Sequence, residues 1–287
     1  MRTVTFPLLA VLGLCGVNTA RAADLDYDYL RGAEYDPVPA PVRVIDWSGV
    51  YVGGHGGYTS AALGFKNALS PMVYQHSHNS TAETEFGASS LLSPPSKRVG
   101  AMSFGAYAGY NVQYDSFVFG IEGDYTNFGR MGWSDNTIGL TKTNSLGLQE
   151  TLNMYGTSAT RINDYGTLRA RLGYAIDSLM PYVTGGVAIG RARIAETLNY
   201  ADTGFDVSAY NANLAGTKTY INTISNIAND QRSRTKVVAG VALGAGLEYA
   251  ITSNILLRAE YQYVLFSDFD GHKVNLNTVR AGAAIKF

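Results

Sequence analysis

The chain has 287 residues, with 22 lysines and arginines against 23 aspartates and glutamates, so its formal net charge is −1. That balance excludes the basic footprint of a nucleic-acid binder, and a single cysteine, Cys15, excludes an internal disulfide. The 32 glycines and 20 tyrosines suit twisted, closely packed strands and membrane-interface rings better than a helical bundle.

The chain opens on Arg2, an apolar run from Val4 to Val17, and the small-x-small step Ala20-Arg21-Ala22. This is the pattern of an export signal over residues 1–22, cleaved before Ala23. The run is too short to span a bilayer, and no later stretch reaches the roughly 18–20 apolar residues of a transmembrane helix. Leu14 does not supply the small residue of a lipoprotein cleavage site before Cys15, so the mature chain is expected to carry no thiol. Residues 23–45 follow, with Asp24, Asp26, Asp28, Glu34 and Asp36 dominating their charge. Pro37, Pro39 and Pro41 forbid a regular helix or central strand there, so a flexible periplasmic N-terminal segment is expected.

From Asp46 onward the pattern repeats every two residues in eight segments: Asp46 to Ala62, Ala101 to Asp115, Phe117 to Phe128, Asp164 to Asp177, Leu179 to Ile194, Thr235 to Thr252, Asn254 to Phe269, and Lys273 to Phe287. The third sets Phe117, Phe119, Ile121 and Tyr125 against Glu122 and Asp124, and the fourth sets Leu168, Ala170, Leu172 and Tyr174 against Arg169 and Arg171. In the sixth, bulky Val237, Val241, Leu243 and Leu247 alternate with a face of Gly240, Ala242, Gly244, Gly246 and Glu248. The seventh and eighth repeat the scheme with Arg258, Glu260, Arg280 and Lys286 on the polar side.

A soluble sandwich and a membrane barrel both alternate in this way, and the connections separate them. Asp115-Ser116, Asp177-Ser178 and Thr252-Ser253-Asn254 are tight joints made of turn-forming side chains. They alternate with the long stretches Leu63 to Gly100, Gly129 to Asn163 and Ala195 to Arg234, each well beyond the usual loop of about 12–15 residues. A final compact joint falls near Asp270-Gly271. Tight turns on one side and long loops on the other are the habit of outer-membrane barrels. The fold expected over residues 46–287 is therefore all-β, an eight-stranded antiparallel transmembrane β-barrel with three long outer loops.

Aromatic residues gather at the segment ends: Trp47, Tyr58, Tyr110, Tyr114, Phe128, Tyr174, Tyr182, Tyr249, Tyr263, Phe266 and Phe287. Their apolar bodies and polar tips predict two interfacial girdles. The polar faces predict a lumen in which Glu122, Asp124, Glu248 and Glu260 interleave with Arg169, Arg171, Arg258, Arg280 and Lys286. Eight strands enclose a bore just wide enough for side chains to fill, so a plugged lumen is favoured over an ion-selective pore.

WSGVYVGGHGGY at 47–58, RARLGYAIDSLMPYVTGGVAIG at 169–190, GAGLEYAITSNILLRAEYQYV at 244–264 and the terminal Phe287 resemble the small outer-membrane β-barrel proteins of α-proteobacteria, the opacity-protein-like porin family. The resemblance covers roughly residues 47–287 and fades in the long loops. It implies a location in the outer membrane among its lipids, delivery by the outer-membrane assembly machinery with Phe287 as the C-terminal signal, and loops presented to a host-surface or envelope partner. Members of that family are described as structural proteins, weak porins, adhesion factors and hemin binders.

No catalytic residue and no metal site is expected. His55, His76, His78 and His272 have no serine or acid at a motif spacing. His55 shares the register of Trp47 and Tyr51 and should point into the lumen toward a carboxylate. His76 and His78 form the one arrangement with ligand character. On an extended segment they would share a face, with Tyr74 and Met72 near enough to complete a hemin contact. Solvated loop histidines are the simpler reading, and no other cofactor is implied. The long loops, such as Tyr200 to Asn226, mix Asn, Thr, Ser, Gly and Tyr, a composition equally suited to recognition and to inert hairpins that extend the barrel.

Overall fold

Three aspartates turn the chain where a side chain can serve the backbone. Asp115, Asp177 and Asp270 all take φ near +50°, a left-handed conformation that Asp tolerates through local hydrogen bonding. At a further turn, the Thr252 hydroxyl accepts from the amides of Asn254 and Ile255 at 3.2 and 2.9 Å. The computed structural model describes residues 45–212 and 222–287, and between these turns it forms eight strands. They are β1 (Gly49–Gly64), β2 (Lys97–Tyr114), β3 (Phe117–Thr143), β4 (Leu148–Tyr174), β5 (Leu179–Asp206), β6 (Asn222–Ala250), β7 (Ile255–Phe266) and β8 (Lys273–Lys286). Each pairs antiparallel with its neighbour, and β1 pairs with β8 from Tyr51↔Lys286 to Gly64↔Lys273, closing the barrel. The export signal over 1–22 and all but the last residue of the 23–45 segment lie outside the described residues.

The outer hairpins differ from the expectation of loops over 129–163 and 195–234. β3 and β4 run 27 residues each, and β5 and β6 run 28 and 29. The pairing of β2 with β3 stops at Phe104↔Asn127 and that of β6 with β7 at Gly240↔Phe266, so above these points the four strands continue as an open sheet beyond the barrel. Two irregularities hide this continuation from a two-residue period. The ladder slips between Asn127 and Arg130 and between Ile162 and Asp164, and the second slip reverses the inward parity of β4. Below it Tyr165, Thr167, Arg169 and Arg171 face inward; above it Leu152, Met154, Thr160 and Ile162 do.

The inner face of this sheet is roofed by three short helices in the β1–β2 connection: α1 (Ser70–Ser77), α2 (Thr81–Thr84) and α3 (Ala88–Leu91). Pro71 falls in the first turn of α1, where its missing N–H costs nothing. Leu69, Met72, Val73, Ala82, Ala88 and Leu92 pack on Leu152, Met154, Leu198 and Tyr200 from β4 and β5.

The girdle expectation needs correction. Tyr58, Tyr110, Tyr114, Tyr174, Tyr249 and Phe287 are exposed, but Trp47, Phe128, Tyr182 and Phe266 are buried. Tyr182 stands on the inward parity of β5, between Met180 and Thr184. Trp47 precedes β1 and closes the turn-side end of the lumen in a cluster with Tyr51, Tyr107, Val118, Met180, Leu256 and Ala284. Phe128 and Phe266 belong to a second apolar cluster toward the outer end, with Leu63, Phe65, Ile162, Val238, Val264 and Leu276.

Candidate functional site

Between the two apolar plugs lies a layer of charge built on strand register. Glu122 of β3 faces Arg169 of β4, Glu248 of β6 faces Arg258 of β7, and Glu260 of β7 faces Arg280 of β8. Directly opposed residues on one face of a ladder have Cβ atoms about 5 Å apart, so each acid meets a base without distortion.

The pairs then link to one another. Arg169 reaches Glu122 at 2.6 Å, Asp124 at 2.9 Å and Glu260 at 2.5 Å. Arg258 Nη2 forms ion pairs with Glu122 and Glu248, both at 2.6 Å, and Arg280 bonds Asp124 and Glu260, both at 3.0 Å. Arg171 bonds Glu248. Hydroxyls fill remaining acceptor positions: Tyr51 donates to Glu122, Tyr182 to Glu260 and Thr167 to Asp124, each at 2.8 Å. Two guanidinium groups also lie over rings, Arg171 at 3.9 Å from the Tyr182 centroid and Arg258 at 4.0 Å from that of Tyr107.

Four carboxylates and four guanidinium groups cancel, and all eight side chains are buried. In so enclosed a space attraction is strong, but the cost of taking the ions from water offsets much of it. The small inward face of β6 is what makes room. A Cβ on Gly244 would sit 2.9 Å from the Glu260 carboxylate and 3.0 Å from the Arg169 guanidinium.

The ninth predicted member, Lys286, does not join the other eight. It is buried at the turn-side rim, where its amino group bonds the Asp46 carbonyl oxygen. His55 faces the lumen, but Nε2 meets the Thr126 hydroxyl at 3.4 Å and Arg280 at 3.3 Å rather than a carboxylate.

His76 and His78 are not on an extended segment. They lie on α1 and at its C-cap, where residues two apart are turned about 200° from one another, so the shared face that motivated a hemin contact is absent. His76 Nε2 meets Asp230 at 2.7 Å, while His78 Nδ1 lies 3.1 Å from the carbonyls of Tyr74 and Gln75. Met72 is buried in the roof core.

Two buried polar arrangements escape a search for motif spacing, because strands far apart in sequence assemble them. His272, after the β7–β8 turn, lies 2.7 Å from the Thr160 hydroxyl through Nδ1 and 3.1 Å from Glu196 through Nε2. All three are buried beneath Phe65 and Phe269, whose rings contact the imidazole. Higher up, Glu150 of β4 and Asp202 of β5 are buried under α2. Glu150 accepts from Thr81 at 2.6 Å and Asn144 at 2.9 Å, but the Asp202 oxygens have no hydrogen-bond partner. Burial, and then the neighbouring Glu150 carboxylate, push Asp202 up to about 7. No signal in the linear sequence pairs these two acids.

A closed eight-stranded cylinder with an apolar outer wall, an ionic interior and short turns at one end defines an outer-membrane β-barrel protein. The chain belongs to the outer membrane protein β-barrel domain family, whose model matches residues 9–287, and it resides in the outer membrane. It is 30% identical to the 31 kDa outer-membrane immunogenic protein of Brucella melitensis over 98% of either chain. It is 25% identical to the 22 kDa outer membrane protein of Rhizobium leguminosarum, over 86% of this chain and 82% of that one. Among solved structures, the attachment invasion locus protein Ail of Yersinia pestis matches 84% of this chain and 99% of its own, with 14% identity and a TM-score of 0.35.

Proposed function

We propose that this protein is a non-enzymatic envelope barrel that acts through its outer surface rather than through its bore. The carrying observation is the ionic layer held between two apolar plugs, above which four strands rise as a roofed sheet. Such a lumen offers solutes no wet path, while the projecting hairpins offer an interaction partner a stiff platform. The immunogenic naming of the Brucella relatives supports exposure of the corresponding surface.

We read Thr160, His272 and Glu196 as a structural latch, since all three are buried and a nucleophile must be reached by substrate. Phe287 is exposed, and its amide donates to the Val50 carbonyl at 2.8 Å, which leaves the ring free for the outer-membrane assembly machinery. A host-surface or envelope partner for the hairpins is part of the same reading. The test compares intact protein with a variant whose β3–β4 and β5–β6 hairpins are shortened to tight turns above Asn127 and Gly190. Loss of host-cell or envelope binding with the barrel still folded is the expected result; equal binding by both would refute it.

A further inference from the structure

We propose that Arg161 and Arg193 form an outward-facing site for the phosphate groups of an outer-leaflet lipid. The register places them. Tyr125, Gly166, Ile189 and Ala239 make one row across β3, β4, β5 and β6, and with Ile121, Leu168, Val187 and Val241 below they form the apolar outer wall. The next outward row is Asp164, Arg191 and Val237; the one above it is Met131, Arg161, Arg193 and Thr235. At about 3.3 Å per residue on tilted strands, the second row stands within about 10 Å of the last apolar one. This is the side of the long hairpins, hence headgroup depth in the outer leaflet. Trp133 and Met131, 59% and 54% exposed, stand on the same outer face, as residues at a membrane interface do.

Charge then identifies the ligand. Arg161 and Arg193 are direct cross-strand partners, both exposed, and like charges so placed repel unless an anion lies between them. Among the described residues neither has an ion-pair partner, whereas Arg191 in the row below is bonded to Asp164. Tyr125 donates to the same Asp164 at 2.9 Å, so that acid is already engaged. The other acid exposed on this face near the cluster is Asp135, two positions beyond Trp133. Paired guanidinium forks match phosphate oxygens bidentately, and a lipid-borne phosphate is held at this depth by its acyl chains. A free phosphate ion would satisfy the same forks, so the experiment separates the two sources.

Full-length protein, refolded in detergent, is titrated with mixed micelles carrying diphosphoryl lipid A, monophosphoryl lipid A or a phosphate-free glycolipid. Binding is read by Trp133 fluorescence and by phosphorus retained after gel filtration. Expected is preference in the order diphosphoryl, monophosphoryl, phosphate-free, a loss of about tenfold or more in affinity for R161Q/R193Q, and partial recovery for R161K/R193K. Inorganic phosphate at matched concentration should not compete. The proposal is overturned if the wild type does not distinguish the three lipids, a comparison that needs no variant to fold. It is equally overturned if folded R161Q/R193Q binds as the wild type does, or if inorganic phosphate displaces the lipid.

Discussion

Glu248 and Arg258 stand opposite one another across the β6–β7 ladder, and Arg258 Nε donates to Glu248 Oε1 over 2.7 Å. The same side chain extends Nη2 to Glu122 on β3, so one guanidinium ties strands from opposite walls of the barrel. The side chains that cross the lumen thus join strands that are not neighbours in the ladder.

Removing one ion should cost far more than removing a balanced pair. Arg258→Met leaves four buried carboxylates against three guanidinium groups, with Glu122 and Glu248 each short of one partner, and should destabilise the folded barrel by about 3–5 kcal/mol. Adding Glu248→Met restores neutrality and should recover a large part of that loss. Reversible urea unfolding in lipid vesicles or detergent measures both; equal losses in the single and double variants would mean that pairing is not what matters.

Gly271 ties the β7–β8 turn to the roof. Its φ is +76°, and an added Cβ would meet the Asn67 carbonyl at 2.5 Å, backbone that cannot swing aside as a side chain does. Gly271→Ala should loosen the β1–β2 connection, exposing sites within residues 65–96 to limited proteolysis while the barrel keeps its strand signal by circular dichroism. Unchanged cleavage would show that the turn and roof are not coupled.

The outer sheet should loosen as pH rises. Asp202, raised from 3.8 to about 7 by burial and Glu150, keeps its proton in the folded state after the unfolded chain has released it. Stability from this group is thus present below pH 4 and lost progressively between about 4 and 7, with little further change above. Glu150, Tyr200 and Glu83 are the ionisable groups around it, and Thr81 and Asn144 donate to Glu150 rather than to Asp202. Hydrogen exchange in β4 and β5 above Ile162 should be slower at pH 5 than at pH 8 after correction for intrinsic rates. Asp202→Asn should flatten that difference; a difference of unchanged size in the variant would assign it elsewhere.

The membrane-facing part of the fold is legible in the chain because lipid outside and charge inside impose one period along each strand. Ile121 and Glu122, or Leu168 and Arg169, declare their faces as neighbours. The outer hairpins are not legible, since Met131, Trp133, Leu152 and Met154 are separated from the barrel pattern by the slips at Asn127 and Ile162. The charged membership of the lumen follows from alternation, but the exclusion of Lys286 follows from its height at the rim. Thr160, His272 and Glu196 meet only through closure of the sheet, and no spacing rule reaches across 112 residues.

The proposed role through the outer surface requires that side chains, and not a continuous water path, fill the bore. Planar-bilayer recording of the folded full-length protein decides this. No steady open channel is predicted, while a Gly-substituted variant lacking Arg169, Arg258 and Tyr51 should admit small ions if it folds. Stable, large single-channel steps from the unaltered protein would contradict the claim.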